Sequence, residues 1–142
     1  MRRRLAIVAT HPIQYYTPWF KWIAARDDLQ LRVFFLSDFS TRTFHDHGFG
    51  REISWDVPLV DGFDHEFVPN ISTDPGSHHF RGLINPGLSR AIHDYDPDAV
   101  LLFGYKYQSL MHFLFRWRKG RRRRTCPRLA RSNTRSGRWS GR

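Results

Sequence analysis

The sequence contains one cysteine, Cys126, among 142 residues. A single cysteine excludes an intramolecular disulfide framework and a cysteine-rich zinc site, and it is compatible with a reducing cytosol. No stretch approaches the roughly 20 apolar residues of a membrane-spanning helix, so we expect any membrane contact to be peripheral. Arg2, Arg3 and Arg4 precede an apolar run, but that run ends at Thr10. It is too short for the apolar region of a signal peptide.

Several catalytic fingerprints are also missing. No G-x-G-x-x-G follows the first apolar run and no P-loop sequence occurs, which argues against a dehydrogenase and a kinase. The G-x-S-x-G elbow is absent too, so nothing in the sequence indicates a hydrolytic triad.

The histidine-rich segments give weak metal signals. His45, Asp46 and His47 suggest a metal, but two histidines one residue apart in a loop without a nearby cysteine are a poor ligand set. A second group consists of Asp74, His78 and His79. We interpret its segment as a plain loop, and the alternative is a loop that binds the acceptor. We therefore expect no metal site and no cofactor held by this chain.

The positive charge is concentrated at one end of the chain. The formal net charge is +10 and the sequence pI is about 10.8, values that raise a nucleic-acid or anionic-surface hypothesis. Residues 116–142 contain 12 Arg or Lys and no Asp or Glu, which leaves 11 basic against 13 acidic residues at positions 1–115. The body of the protein is slightly acidic, and the basic tail must be explained separately.

The apolar pattern of the first 36 residues predicts a β-α-β unit. Residues 5–9 and 29–36 are continuous apolar runs, typical of strands buried on both faces of a parallel sheet. Between them, apolar residues at helical spacings predict a helix over residues 13–26. Two parallel strands joined by a helix form a right-handed crossover almost without exception.

The alternation continues to about residue 118. Positions 37–57 lose their period and predict a long loop with a short strand near residues 53–57. Asn85 and Pro86 indicate a helix start, because Asn caps free N–H groups and Pro tolerates the first turn. Two further strands are predicted at residues 65–68 and 99–103. Between them, a helix is predicted whose apolar face consists of Leu88, Ala91, Ile92 and Tyr95, and a last helix is predicted from Tyr105 to Trp117. This order predicts a doubly wound, mostly parallel α/β sheet.

Three segments carry a resemblance to a known family. Residues 5–18, which include HPIQYY at positions 11–16, look like the opening strand and loop of a bacterial group of family 4 glycosyltransferases. Residues 96–104, a Pro-Asp step followed by an apolar strand, are similar to a segment common in N-terminal domains of that family, and residues 49–59 are a third cue. Together these cues extend over most of positions 5–115.

The resemblance implies a Rossmann-like N-terminal half of a GT-B fold. In that fold the acceptor binds largely to the first domain and the nucleotide-sugar donor largely to the second. The resemblance therefore implies the acceptor-side portion of a retaining, sugar-nucleotide-dependent hexosyltransferase. Its acceptor would be a glycan or a lipid-linked saccharide, in the cytoplasm or at the inner membrane face. The chain departs from the family pattern in lacking the acidic donor-site motif, so we expect a truncated protein with little activity alone. The catalytic residues stay unassigned.

The tail, residues 119–142, allows two interpretations. One is an Arg-rich arm that binds phosphates through counterion release. The other is a slip of reading frame near residues 119–124, which the abrupt change to Arg, Ser, Gly and Pro favours. We expect disorder there. The rival function follows from the first interpretation: a non-enzymatic α/β module, residues 1–118, that presents its tail to nucleic acid or an anionic surface.

The candidate site residues follow from the fold. In open α/β sheets ligands bind beyond the carboxyl ends of the strands, so the loops that begin at Thr10, Ser37 and Gly104 should line the cleft. Histidine changes charge near neutral pH, hydroxyl and amide groups suit sugar hydroxyls, and an aromatic ring with an ammonium suits a sugar face and a phosphate. The alternative is that these residues only shape turns or are solvated. The substrate-binding candidates are His11, Gln14, Tyr15, Thr17, Tyr105 and Lys106.

Overall fold

A computed structural model of the protein describes residues 2–39, 44–46, 51–53 and 59–120. In chain order the elements are β1 (Arg3–Ala9), α1 (Thr17–Ala24), β2 (Leu29–Phe35), β3 (Phe44–Asp46), β4 (Arg51–Ile53), β5 (Asp64–Phe67), a 3-10 turn (Phe80–Gly82), α2 (Leu88–Tyr95), β6 (Ala99–Leu102) and α3 (Gln108–Gly120).

Four strands form one parallel sheet in the order β5-β2-β1-β6. In the register of β1, Ile7 pairs with Val33 of β2 on one side and with Leu101 of β6 on the other. Two main-chain hydrogen bonds extend the ladder by one residue past the ends of β2 and β6: Leu36 N–H donates to Ala9 O, and Phe103 N–H donates to Val8 O. The predicted α/β class with a parallel sheet is confirmed.

The two faces of the sheet carry different helices. Ile7 and Ala9 lie on the face covered by α1, where they pack with Phe20, Val33 and Phe35. The alternate residues of β1 lie on the opposite face, which α2 and α3 cover; its buried residues include Ala6, Val8, Phe34, Leu88, Ile92, Leu110 and Phe113. Because successive side chains of a strand point to opposite faces, both faces of β1 are apolar and buried. The sheet is therefore doubly wound.

Two helices begin later than the periodicity predicted. α1 begins at Thr17 rather than at residue 13, and Tyr16 and Thr17 donate their N–H groups to Ile13 O in a preceding turn. Pro18 lies in the first turn of α1. An earlier start would place Pro18 in the helix interior, where its ring clashes with the preceding turn and one hydrogen bond is lost. α3 likewise begins at Gln108 rather than at 105.

Asn85 does not cap α2 as predicted. The residue at the N-cap is Gly87, and no side chain of the described residues caps the start of that helix. The Asn85 side chain is buried and its amide donates to Leu36 O at 2.9 Å and to Val68 O at 2.8 Å. A buried carbonyl without a partner is costly, so the amide is held between the ends of β2 and β5 and is not available to the helix.

Three predictions concern residues only partly described. β3 and β4 form an antiparallel pair, with Phe44 opposite Ile53; the short strand expected near residues 53–57 overlaps it at Ile53, and residues 54–57 lie outside the described residues. The tail expected to be disordered lies outside them from residue 121 onward. Among the helices described, none is long and apolar enough to cross a membrane.

Candidate functional site

The sheet has a topological switch point between β1 and β6. These strands are parallel neighbours, but the helix after β1 packs on one face and the helix after β6 packs on the other. The chain therefore diverges at their carboxyl ends, and such a divergence opens a crevice that binds ligands in α/β sheets. We call the loops at residues 10–16 and 103–107 the β1–β6 crevice.

His11, the second residue of the loop after β1, is partly buried. Its Nδ1 is 3.0 Å from the Thr10 hydroxyl, and its ring meets Phe39, from the loop after β2, edge to face at 6.1 Å between centroids. Burial lowers the pKa of His11 from its ordinary value, because the charged imidazolium loses hydration there. The ring is therefore neutral at pH 7. Within the described residues its Nε2 makes no hydrogen bond, which leaves one polar atom for a ligand.

Two tyrosines border the crevice with their side chains in solvent. Tyr15, before α1, and Tyr105, after β6, are each 75% exposed. Gln14 is exposed as well. Gly104 precedes Tyr105 with a φ of +95°, a conformation that favours glycine, and a Cβ at Gly104 would have no atom within 4 Å. The chain thus turns sharply at the end of β6 beside open space, and the tyrosines are free to contact a ligand.

The other two predicted site residues have partners within the protein. The Thr17 side chain is buried, and its hydroxyl lies 2.9 Å from Leu59 O and 3.2 Å from Ile13 O. The Lys106 ammonium donates to Ser77 O at 3.1 Å and lies 5.8 Å from the centre of the Tyr107 ring. Thr17 is thus placed to hold the loop before α1, and Lys106 ties the β6 loop to the loop after β5. Substrate binding by either residue stays a prediction.

The loop after β5 crosses to the crevice on a scaffold centred on Asn70. The Asn70 amide oxygen accepts from Ser72 N–H at 3.1 Å and Ile84 N–H at 2.8 Å, and its amide nitrogen donates to Gly82 O at 2.9 Å. The two ends of the loop are thereby held together. Tyr107, after β6, donates its hydroxyl to Ser77 O at 3.0 Å. This scaffold was not predicted, because the sequence pattern marks only a turn-rich loop.

Two further features lie near the carboxyl edge. A groove of about 430 Å³ runs between the N-terminal ends of α2 and α3, lined by Asn85, Ser89, Gln108, His112 and Arg116 among others. In the loop after β5, the side chains of Asp74, His78 and His79 each place one ligand atom within 4.8 Å of the others. The sequence predicted no metal there. Of the other suspected metal residues, His45 and Asp46 lie in β3 opposite Glu52 and Arg51, and His47 lies outside the described residues.

No protein-family model matches the chain, and no curated protein or solved structure matches it either.

Proposed function

We propose that the chain is the acceptor-side domain of a sugar-nucleotide-dependent glycosyltransferase and binds a glycan or lipid-linked saccharide at the β1–β6 crevice. The observation that carries the proposal is the set of residues in the two loops at this switch point: a partly buried histidine, His11, in the loop after β1, and two tyrosines, one in each loop, that are each 75% exposed. The HPIQYY-type loop that motivated the family resemblance is the segment that supplies His11 and Tyr15.

The chemistry of these groups suits a sugar. A tyrosine ring offers an apolar face to the C–H groups of a pyranose and a hydroxyl to its O–H groups. A neutral imidazole both donates and accepts a hydrogen bond, which matches a sugar hydroxyl better than an imidazolium, a donor only. The proposal gives His11, Gln14, Tyr15 and Tyr105 direct contacts with the acceptor, whereas Thr17 and Lys106 position the loops.

The proposal is limited to the acceptor. The family resemblance places the nucleotide-sugar donor and the stabilisation of the leaving diphosphate on a second domain, so we assign no catalytic residue to this one. The transfer reaction, its retaining stereochemistry and its hexosyl donor belong to the whole enzyme that the resemblance implies.

We further propose a cytoplasmic location, with contact at the inner membrane face. A lipid-linked acceptor would reside at that surface. The outer side of α1 presents Trp19 and Trp22, which are 64% and 67% exposed, and the Arg26 guanidinium lies 5.7 Å from the Trp22 ring. Tryptophan rings with a nearby cation suit the boundary between lipid headgroups and acyl chains.

Glycan-array screening of the full chain tests the proposal, followed by amide NMR titration with the best-bound saccharide. We expect shifts concentrated at residues 10–16 and 103–107. Tyr15→Ala and Tyr105→Ala should each weaken binding by about fivefold, since an aromatic contact contributes on the order of 1 kcal/mol. The control is Phe115→Ala, which removes an equally bulky ring that is 59% exposed on α3, and binding should not change.

Two results would contradict the proposal. One is the absence of binding to every glycan; salt-sensitive RNA binding by the same sample would then favour the nucleic-acid module. The other is UDP binding in the β1–β6 crevice, because the crevice would then be a donor site. The same amide spectra show whether the protein is folded, so an absence of saccharide binding can be distinguished from unfolding.

A further inference from the structure

Three potential metal ligands converge in the loop between β5 and the 3-10 turn. The Asp74 carboxylate oxygen Oδ2 lies 3.5 Å from His78 Nε2 and 3.1 Å from His79 Nε2. We propose that Asp74, His78 and His79 form a binding site for Zn²⁺ or a closely similar divalent transition metal. The three ligands lie outside the loops of the β1–β6 crevice, and the site is connected to that crevice only through Ser77, whose main-chain oxygen accepts from Lys106 and Tyr107.

The spacing of the atoms matches a tetrahedral ion. Nitrogen and oxygen ligands lie about 2.0–2.1 Å from Zn²⁺, so two ligands on a tetrahedron are about 3.3–3.4 Å apart. The two distances from Asp74 Oδ2, 3.5 Å and 3.1 Å, lie on either side of that value. Each of the three side chains places a ligand atom within 4.8 Å of the others. Asp74 and His78 are exposed and His79 is partly buried, so rotations of the two exposed side chains toward His79 bring the three ligand atoms together.

The backbone under the cluster is held by hydrogen bonds on both sides. Asp74 N–H donates to the Ser72 hydroxyl at 3.3 Å, and that hydroxyl donates to Arg81 O at 2.6 Å. The Asn70 amide closes the loop below them. Beyond Asp74, Ser77 O accepts from both Lys106 and Tyr107. Little backbone freedom remains to be lost when an ion binds, and such preorganisation raises affinity.

Gly76 leaves the space that the His78 ring occupies. A Cβ at Gly76 would lie 2.6 Å from His78 Nδ1 and 2.7 Å from Cε1. A methyl group there would displace the ring without removing any ligand. Gly76 therefore allows a test of ligand geometry that is separate from ligand identity.

The donor set selects the kind of ion. Two imidazoles and one carboxylate suit Zn²⁺ and its first-row neighbours, whereas Mg²⁺ prefers oxygen ligands alone. Three protein ligands leave at least one position for water. In the absence of an ion, His79 Nε2 lies 3.0 Å from the Asp74 main-chain oxygen; for this nitrogen to bind an ion, that contact must open and the ring must carry its proton on Nδ1. A bound ion would clamp residues 74–79 and, through Ser77, fix the loop against the end of β6.

Calorimetric titration of the full chain, purified without a histidine tag, with ZnCl₂ tests the proposal. We expect one site, with no corresponding heat from MgCl₂ at the same concentration. Loss of an outer-shell partner typically weakens metal binding about 10- to 100-fold, so loss of a direct ligand in Asp74→Ala, His78→Gln or His79→Gln should weaken it at least as much. Gly76→Ala should also weaken binding although all three ligands remain.

His93→Gln is the matched control, because His93 forms an exposed pair with Asp94, Nδ1 to Oδ1 3.8 Å, and no third ligand joins this pair among the residues that the structure describes. Its zinc affinity should equal that of the unsubstituted chain. Far-UV circular dichroism and the amide spectrum of β1 show whether each variant is folded. Co²⁺ provides a second readout, since the tetrahedral ion absorbs strongly in the visible range and the ligand variants should lose that band. Equal zinc binding by the ligand variants, or no binding by the unsubstituted chain, would overturn the proposal.

Discussion

Asn85 and Ser109 are joined by two short contacts, from Asn85 N–H to Ser109 Oγ at 2.7 Å and between Ser109 Oγ and Asn85 Oδ1 at 2.8 Å. The Ser109 hydroxyl also lies 2.9 Å from Leu83 O, and it donates its single proton to one of these two acceptors. Since the Asn85 amide binds the carbonyls at the ends of β2 and β5, this pair connects the sheet to the first turn of α3. The carboxyl edge of the domain therefore depends on a buried polar cluster.

Asn85→Ala should destabilise the domain by about 2–4 kcal/mol, because the carbonyls of Leu36 and Val68 lose their amide donor and each unpaired buried group costs about 1–3 kcal/mol. Urea unfolding followed by circular dichroism measures the change. Ser89→Ala, on the partly exposed side of α2, is the control and should stay within about 0.5 kcal/mol. A similar small change for Asn85→Ala would show that water replaces the amide.

Gly82→Ala should disrupt the loop after β5. A Cβ at Gly82 would lie 1.9 Å from Gly76 O, which the rigid backbone cannot accommodate, and we expect a loss of about 1–3 kcal/mol. Gly87→Ala is the matched glycine, since its Cβ would meet only Val68 Cγ1 at 3.8 Å, an ordinary contact. Urea unfolding should separate the two variants. Equal stabilities would mean that the Gly76–Gly82 approach is not maintained in solution.

Thr17→Val should lower the free energy of unfolding by about 1–2 kcal/mol and weaken saccharide binding less than Tyr15→Ala does, because Thr17 positions the loop and does not contact the saccharide. The substitution preserves shape but removes the hydroxyl that lies 2.9 Å from Leu59 O, and a buried carbonyl then lacks its donor. Thermal unfolding and the NMR titration, run on the same sample, give the two quantities. A stable variant with weakened binding would instead support the sequence-based assignment of Thr17 to the substrate.

His11 should titrate with a midpoint below its ordinary pKa, which NMR of the imidazole ring measures directly. Because burial lowers the pKa in the folded protein, the unfolded chain binds more protons at mildly acidic pH. The stability contributed by the neutral ring is present above about pH 6.5, the unfolded value. It is lost as the pH falls through the lower, folded pKa. His11→Asn should unfold with less dependence on pH between 8 and 5, and an unaltered dependence would contradict the burial of His11.

Leu101→Lys should reduce self-association. Among the described strands β6 pairs only with β1, its sequence is Ala-Val-Leu-Leu without a charge, and Leu101 is 47% exposed. An apolar edge strand promotes pairing between molecules, and lysine is a common protection against it. Sedimentation velocity at increasing concentration measures the effect. Ile71→Lys, at a 63% exposed loop position, is the control; an equal effect there would assign the change to net charge.

The apolar periodicity of the sequence determined the class of fold. The continuous apolar runs became β1 and β2, whose carboxyl-terminal halves are buried on both faces. Such runs are typical of parallel strands that helices cover on both sides of the sheet. The helical spacing of Leu88, Ile92 and Tyr95 likewise identified α2 and its buried side. The sequence also excludes an intramolecular disulfide, because it contains a single cysteine. The loops of the candidate crevice were also identified, because parallel strands place their carboxyl ends at one edge.

Only the tertiary structure decided what the polar side chains in those loops do. The sequence predicts that Asn85 caps a helix, but in the structure its side-chain amide donates to the main-chain oxygens of Leu36 and Val68. Thr17 is predicted from the sequence to bind a sugar hydroxyl, but its own hydroxyl lies within hydrogen-bonding distance of Leu59 O, 42 residues away. The convergence of Asp74 with His78 and His79 depends on the Asn70 scaffold and on Gly76. The sequence shows which hydrogen bonds each side chain can make. Its actual partner depends on which distant segments lie beside it once the sheet and helices have packed.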